Sequence, residues 1–142
     1  MRRLDLHGMC SETALQFPAV TVQNPFGPDI DVYKVKDRMF MFLAELDGVP
    51  IVNLKAEPED SGALRQAYPE ITPGYHMNKR HWITVVGGEN ITGTLLGELV
   101  LDSYRLVVEK LPRHVRPVDP EAFGSEAVPG HCARGDGAAG PV

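Results

Sequence analysis

The sequence predicts an α+β fold, one antiparallel sheet with helices packed on one face, in the order α-β-β-β-α-β-α. Three observations predict it. Apolar residues recur at helical spacing in three separate stretches, 4–17, 58–68 and 94–111. Between the first two lie three apolar or alternating runs, 32–36, 39–46 and 50–55, separated only by tight turns. Pro18, Pro69 and Pro112 close the three helical stretches.

In the first helix, Leu6, Met9, Cys10, Ala14 and Phe17 form the apolar stripe. The Pro-, Gly- and Asn-rich stretch PAVTVQNPFGPDID that follows reads as a loop. In VYKVK (32–36), Val32, Lys34 and Lys36 share one face, and Tyr33 and Val35 the other. MFMFLAEL (39–46) is apolar on both faces, as a central strand is. Asp47-Gly48 is a hairpin signal. It leads into PIVNLK (50–55), where Val52 and Leu54 oppose Ile51, Asn53 and Lys55.

Pro58 suits the first position of the second helix, and Glu59 and Asp60 complement its dipole. Leu64, Ala67 and Tyr68 are its expected buried side. WITVV (82–86) is the fourth strand. Leu96, Leu99, Val100, Leu106, Val107 and Leu111 stripe the last helix. This gives a single domain over 1–112. Residues 113–142, loaded with Pro, Gly and Ala and lacking any period, read as a disordered tail.

The 142-residue chain has no 18-residue apolar run, so no membrane helix is expected. The N-terminus MRRLDLHGMC lacks the apolar core of a signal peptide, which predicts a cytoplasmic protein. Two cysteines, Cys10 and Cys132, do not suggest a structural disulfide. No four-ligand spacing supports a metal site. Gly-x-Ser-x-Gly, Walker and Gly-x-Gly-x-x-Gly motifs are all missing, so neither a cofactor nor catalytic residues are expected. The formal net charge of −5 counts against a dedicated nucleic-acid binder, because phosphate neutralisation supplies most of such affinity.

Local charge differs. No acidic residue occurs between Glu70 and Glu89, and TPGYHMNKRHWIT (72–84) packs Tyr75, His76, Asn78, Lys79, Arg80, His81 and Trp82 together. A structural account is available for each: Asn78 closes a turn, Trp82 and Tyr75 pack as aromatics, Arg80 pairs with Glu59 or Asp60, and the histidines are half-buried. The group also suits binding. Lys79 and Arg80 reach phosphates or a carboxylate, Tyr75 and Trp82 offer stacking faces, and the His81 ring can donate or accept. If Tyr33/Val35 and Val52/Leu54 cover the core, then Lys34, Lys36, Asn53 and Lys55 share the open sheet face.

The segments NPFGPDIDVYKVKDRMF (24–40), VNLKAEPE (52–59), TPGYHMNKRHWITV (72–85) and SYRLVVEKLP (103–112) resemble the MmcQ/YjbR family. The resemblance spans most of residues 5–112. Ala56 departs from it, because many members carry Cys at that place. The resemblance implies a CyaY-like α+β fold and no enzymatic activity. Members are commonly described as DNA-binding proteins with a double-wing motif, and some are associated with antibiotic biosynthesis or resistance clusters. Three partners therefore stand open: double-stranded DNA, a planar small molecule, or another protein. The sequence does not specify the oligomeric state.

Overall fold

Residues 5–74 and 78–123 are described by the computed structural model. The elements run α1 (Leu6–Leu15), β1 (Val20–Gln23), β2 (Asp31–Val35), β3 (Arg38–Leu46), β4 (Val49–Lys55), α2 (Pro58–Ala67), β5 (Ile71–Pro73), β6 (Trp82–Val86) and α3 (Gly93–Glu109). A 3-10 turn, Arg113–Val115, follows. The fold is α+β, with all six strands in one antiparallel sheet of order β1-β2-β3-β4-β6-β5. Among the described residues no helix is long and apolar enough to cross a membrane.

The expected meander is β2-β3-β4. Its two hairpins are closed by consecutive residues at positive φ, Lys36 (50°) with Asp37 (71°) and Asp47 (53°) with Gly48 (80°). Positive φ at both central residues is the geometry that matches the right-handed strand twist. The sheet has two strands more than the sequence reading expected. Val20–Gln23, read as loop, is edge strand β1, and Ile71–Pro73, read as part of the polar loop, is edge strand β5. Both are short, and proline-rich surroundings conceal them; Pro73 is tolerated because β5 has a neighbour on one side only.

α1 and α3 pack on each other and on one sheet face, while α2 lies against edge strand β5. Leu6, Cys10 and Ala14 from α1 and Leu96, Leu99, Val100, Tyr104, Val107 and Val108 from α3 meet Tyr33, Val35, Leu43, Val52, Leu54, Ile83 and Val85 of the sheet. α1 begins at Asp5, whose carboxylate accepts from the Gly8 amide at 3.1 Å. Thr92 caps α3 the same way through the Leu95 amide, at 3.1 Å. In α2 the buried residue is Ser61, and Ala67, expected inside, is exposed. The helix borders the sheet edge rather than lying on its face, so it buries a narrow strip.

The expected domain boundary at Pro112 is corrected. Residues 113–123 return to the domain instead of leaving it as tail. Val118 and Phe123 pack on the core, and the Phe123 ring meets Phe17 edge-on at 5.6 Å and Tyr104 at 5.5 Å. Arg116 donates to the Leu111 carbonyl at 3.0 Å and the Glu109 carbonyl at 2.7 Å, satisfying groups left open where α3 ends. Arg105 donates to the Pro120 carbonyl at 2.7 Å. The rest of the expected tail, 124–142, lies outside the described residues.

Cys10 has no exposed surface, and burial pushes its thiol up to about 12. A thiol that stays protonated is neither nucleophile nor ligand. In a Cys132→Ser variant, the native protein is expected not to react with a disulfide reagent at pH 8, and about one thiol to appear on denaturation. Reaction in the native state at the denatured rate would refute the buried placement.

Candidate functional site

The sheet's topology collects the cationic residues at one end. β2 ends and β3 begins there, which puts the Lys36-Asp37 turn and Arg38 at that end. β4 runs back antiparallel and finishes there at Lys55. β6 starts there at Trp82, so the β5–β6 connection carrying Lys79 and Arg80 emerges there too. α3 brings Lys110, whose charge acts on Lys55. Asp37, Glu57 and Glu109 are acidic neighbours in this region, and α2, which starts directly after β4, adds Glu59 and Asp60 in its first turn. Asp29, Asp31, Glu45, Asp47, Glu70 and Glu89 lie at the other end, beside the opposite strand termini. Among the described residues the cations are therefore concentrated at one end of the sheet, though acidic residues accompany them there.

Ser103 builds the joint beneath this end. Tyr33 pairs with Met41 and Lys34 with Met39, so Phe40 is a bulged residue on β3. The bulge turns the Phe40 ring inward against Tyr104, at 5.4 Å. It also disturbs the ladder around the Phe40 carbonyl. The Ser103 hydroxyl of α3 donates to that carbonyl and accepts from the Lys55 amide at 2.8 Å. One hydroxyl thus ties α3, β3 and β4 together where Lys55 projects. Ser103→Ala should cost about 1–3 kcal/mol, because it leaves a buried acceptor and a donor without this partner. Urea denaturation measures it; a change within error would mean that water or strand closure replaces the hydroxyl.

Lys55 is half-buried, with its ammonium 6.0 Å from the centre of the Trp82 ring. Burial, reinforced by the Lys110 and Arg38 cations and opposed by Glu57, lowers its pKa. Such a lysine gains from a bound anion, which would offset the mutual repulsion of the cations. Lys79 is exposed and donates to the Gly74 carbonyl at 2.9 Å. Asn78 accepts from the Arg80 amide at 2.9 Å through its side chain and from the His81 amide at 3.2 Å through its carbonyl. This side-chain turn presents the exposed Arg80. His81 is half-buried, and its carbonyl accepts from the Ala56 amide at 2.9 Å. Gly74 donates to the Trp82 carbonyl at 2.9 Å, and a β-carbon there would stand 2.6 Å from that of Trp82. The close approach requires glycine.

Of the residues singled out in the sequence, Lys36, Lys55, Asn78, Lys79, Arg80, His81 and Trp82 meet at this end. Others do not serve a surface in the way expected. Asn53 is 0% exposed and bonded to Thr84, so it belongs to the interior and not to an open face. Alternation assigned its face correctly, but that face is covered there. Trp82 is 8% exposed, so it offers little surface for stacking. Lys34 is half-buried in a separate groove on the sheet. Tyr75 and His76 lie outside the described residues. Sequence reading missed Arg38, Lys110 and Ser103. Arg38 directly follows the hairpin turn and Lys110 ends a helix, but their proximity to Lys55 exists only after folding.

The family model described as YjbR matches residues 15–106. The Escherichia coli O157:H7 protein YbdF is 46% identical over 121 residues, covering 82% of this chain and 99% of YbdF. YjbR of Escherichia coli K12 is 36% identical over 83 residues, covering 58% of this chain and 70% of YjbR. Both are named as uncharacterized proteins, so neither name carries an activity. A Deinococcus radiodurans crystal structure with a DUF419 domain superposes with a TM-score of 0.68 at 37% identity, covering 79% of this chain and 83% of that one. A Pseudomonas syringae crystal structure gives 0.61 at 28% identity, covering 72% and 98%. The sheet, the helices and the sequence agree with these relatives, and the chain belongs to the YjbR family.

Proposed function

We propose that the cationic end of the sheet binds duplex DNA through its phosphates, without catalysis, the β2–β3 turn and the β5–β6 hairpin serving as two wings. One observation carries this reading: both hairpins leave the sheet at the end that gathers Lys36, Arg38, Lys55, Lys79, Arg80 and Lys110. Strands lie about 4.8 Å apart, and three such spacings separate the midline of β2/β3 from that of β6/β5, or about 14 Å. A major groove about 12 Å wide has phosphate ridges at a comparable separation. The buried Trp82 and Asn53 leave base reading to other groups, so the contact is chiefly electrostatic and weakly sequence-selective. A planar ligand stacked on Trp82 is less favoured, because that ring is nearly covered.

Fluorescence anisotropy of a labelled duplex tests the proposal, across salt from about 50 to 200 mM. Affinity should fall steeply with salt. Lys36→Ala/Arg38→Ala in one wing and Lys79→Ala/Arg80→Ala in the other should each flatten the log–log slope by up to about 2, with melting temperatures little changed. Binding that ignores salt, or survives loss of both cation pairs, would overturn the proposal.

A further inference from the structure

We propose that the groove between the Asn24–Ile30 loop and the outer face of the β2–β3 hairpin binds an apolar aromatic small molecule carrying a positive charge. The groove encloses about 1230 Å³, the scale of a small-molecule site and slightly above the usual range of roughly 300–1,000 Å³. It lies on the sheet face opposite the α1–α3 layer, is lined also by His7 at the start of α1 and by Asp37 of the β2–β3 turn, and takes in none of the cations Lys36, Arg38, Lys79 and Arg80 on which the DNA reading rests.

Phe26 is the telling residue. Its ring is 72% exposed at the groove wall, the most exposed of the large hydrophobic side chains described. Loose loop structure does not account for this. Asn24 donates to the Ile30 carbonyl at 2.8 Å and to the Asp31 carboxylate at 2.7 Å, pinning the two ends of the loop together. Gly27, at φ 114°, donates to the Asn24 carbonyl at 3.3 Å and closes the turn behind the ring. The ring contributes little to the core from there. Opposite it, Val32, Met39, Phe42 and Ala44 supply an apolar floor. The framework is built before any ligand arrives, which lowers the ordering cost of binding.

Charge selects the ligand class. The rim carries the carboxylates of Asp29, Asp37 and Glu45 against the ammonium of Lys34. Lys34 and Asp37 lie towards the β2–β3 turn, where they offset one another. Asp29 and Glu45 lie towards the other end, beside His7, and are the charged residues of the described lining there. An aromatic ligand sandwiched between Phe26 and Phe42 would place its cation near Asp29 and Glu45.

Two pyrene probes separate apolar affinity from charge: 1-pyrenemethylammonium and 1-pyrenecarboxylate, titrated by fluorescence into the full chain. The cation should bind saturably and at least about fivefold more tightly than the anion. Phe26→Ala should weaken it about tenfold while the melting temperature holds, because the ring is exposed. Asp29→Asn/Glu45→Gln should bring the two probes to similar affinity. Equal binding of both probes by the native chain, or no effect of Phe26→Ala, would overturn the proposal. So would a Phe26-dependent dimer in sedimentation velocity, which would assign the groove to a second copy of the chain.

Discussion

Cutting the chain after Arg116 is expected to lower its stability by about 3–5 kcal/mol and its melting temperature by about 10–20 °C. The cut removes Phe123 from the Phe17–Tyr104 ring cluster and Val118 from the core beside it. It also removes the Pro120 carbonyl that accepts from Arg105, a half-buried guanidinium. Cutting after Phe123 takes away only the Pro/Gly/Ala-rich remainder and is expected to shift the melting temperature by no more than a few degrees. Urea denaturation of the two truncations separates the segments. Equal stabilities would show that 117–123 adds nothing to the core. Phe123→Ala in the full chain should reproduce much of the larger effect, without altering chain length.

That segment shows where sequence reading ends. Its two prolines and single large aromatic have no periodicity, so composition assigned it to the tail. Packing, however, needs only Val118 and Phe123 at the right points of an irregular path. The regular part was legible for the opposite reason. Tyr33/Val35 and Val52/Leu54 alternate, and α3 repeats its apolar residues at helical spacing, so each element states its own buried side. β1 carries the same alternation in Val20 and Val22, but as a four-residue edge strand among prolines it reads as loop. Asn53 marks a different limit. Alternation says which face a side chain takes, not whether that face is covered. The site follows the same logic. Lys79 and Arg80 are adjacent in sequence and could be noticed. Arg38, Lys55 and Lys110 become neighbours only because two hairpins and the last helix finish at one end of the sheet.

Tyr104→Ala is expected to cost about 3–5 kcal/mol, the range for removing a large aromatic from a packed core. The side chain is fully buried among Phe17 at 4.7 Å, Phe40 at 5.4 Å and Phe123 at 5.5 Å. It joins α1's exit, the β3 bulge and the returning segment in one contact. Its hydroxyl donates to the Pro18 carbonyl at 2.6 Å, just before β1. Tyr104→Phe keeps the rings together and should cost only about 1 kcal/mol, the net value of one hydrogen bond. The two substitutions therefore separate packing from polarity. Alkaline pH gives a third readout. Burial raises the phenol from 10.0 to about 12, so the native state holds the proton after the unfolded chain has released it. The associated stability is intact below pH 10 and is lost as pH rises through that interval towards 12. Cys10 adds a loss of the same sign from pH 9 upwards, since its thiol is raised from 9.0 to about 12. Tyr104→Phe should accordingly flatten the decline in stability between pH 10 and 12 while leaving the Cys10 contribution in place. A Tyr104→Phe variant whose stability declines as steeply as that of the wild type across this range would mean that the Tyr104 phenol ionises as readily in the folded protein as in the unfolded chain.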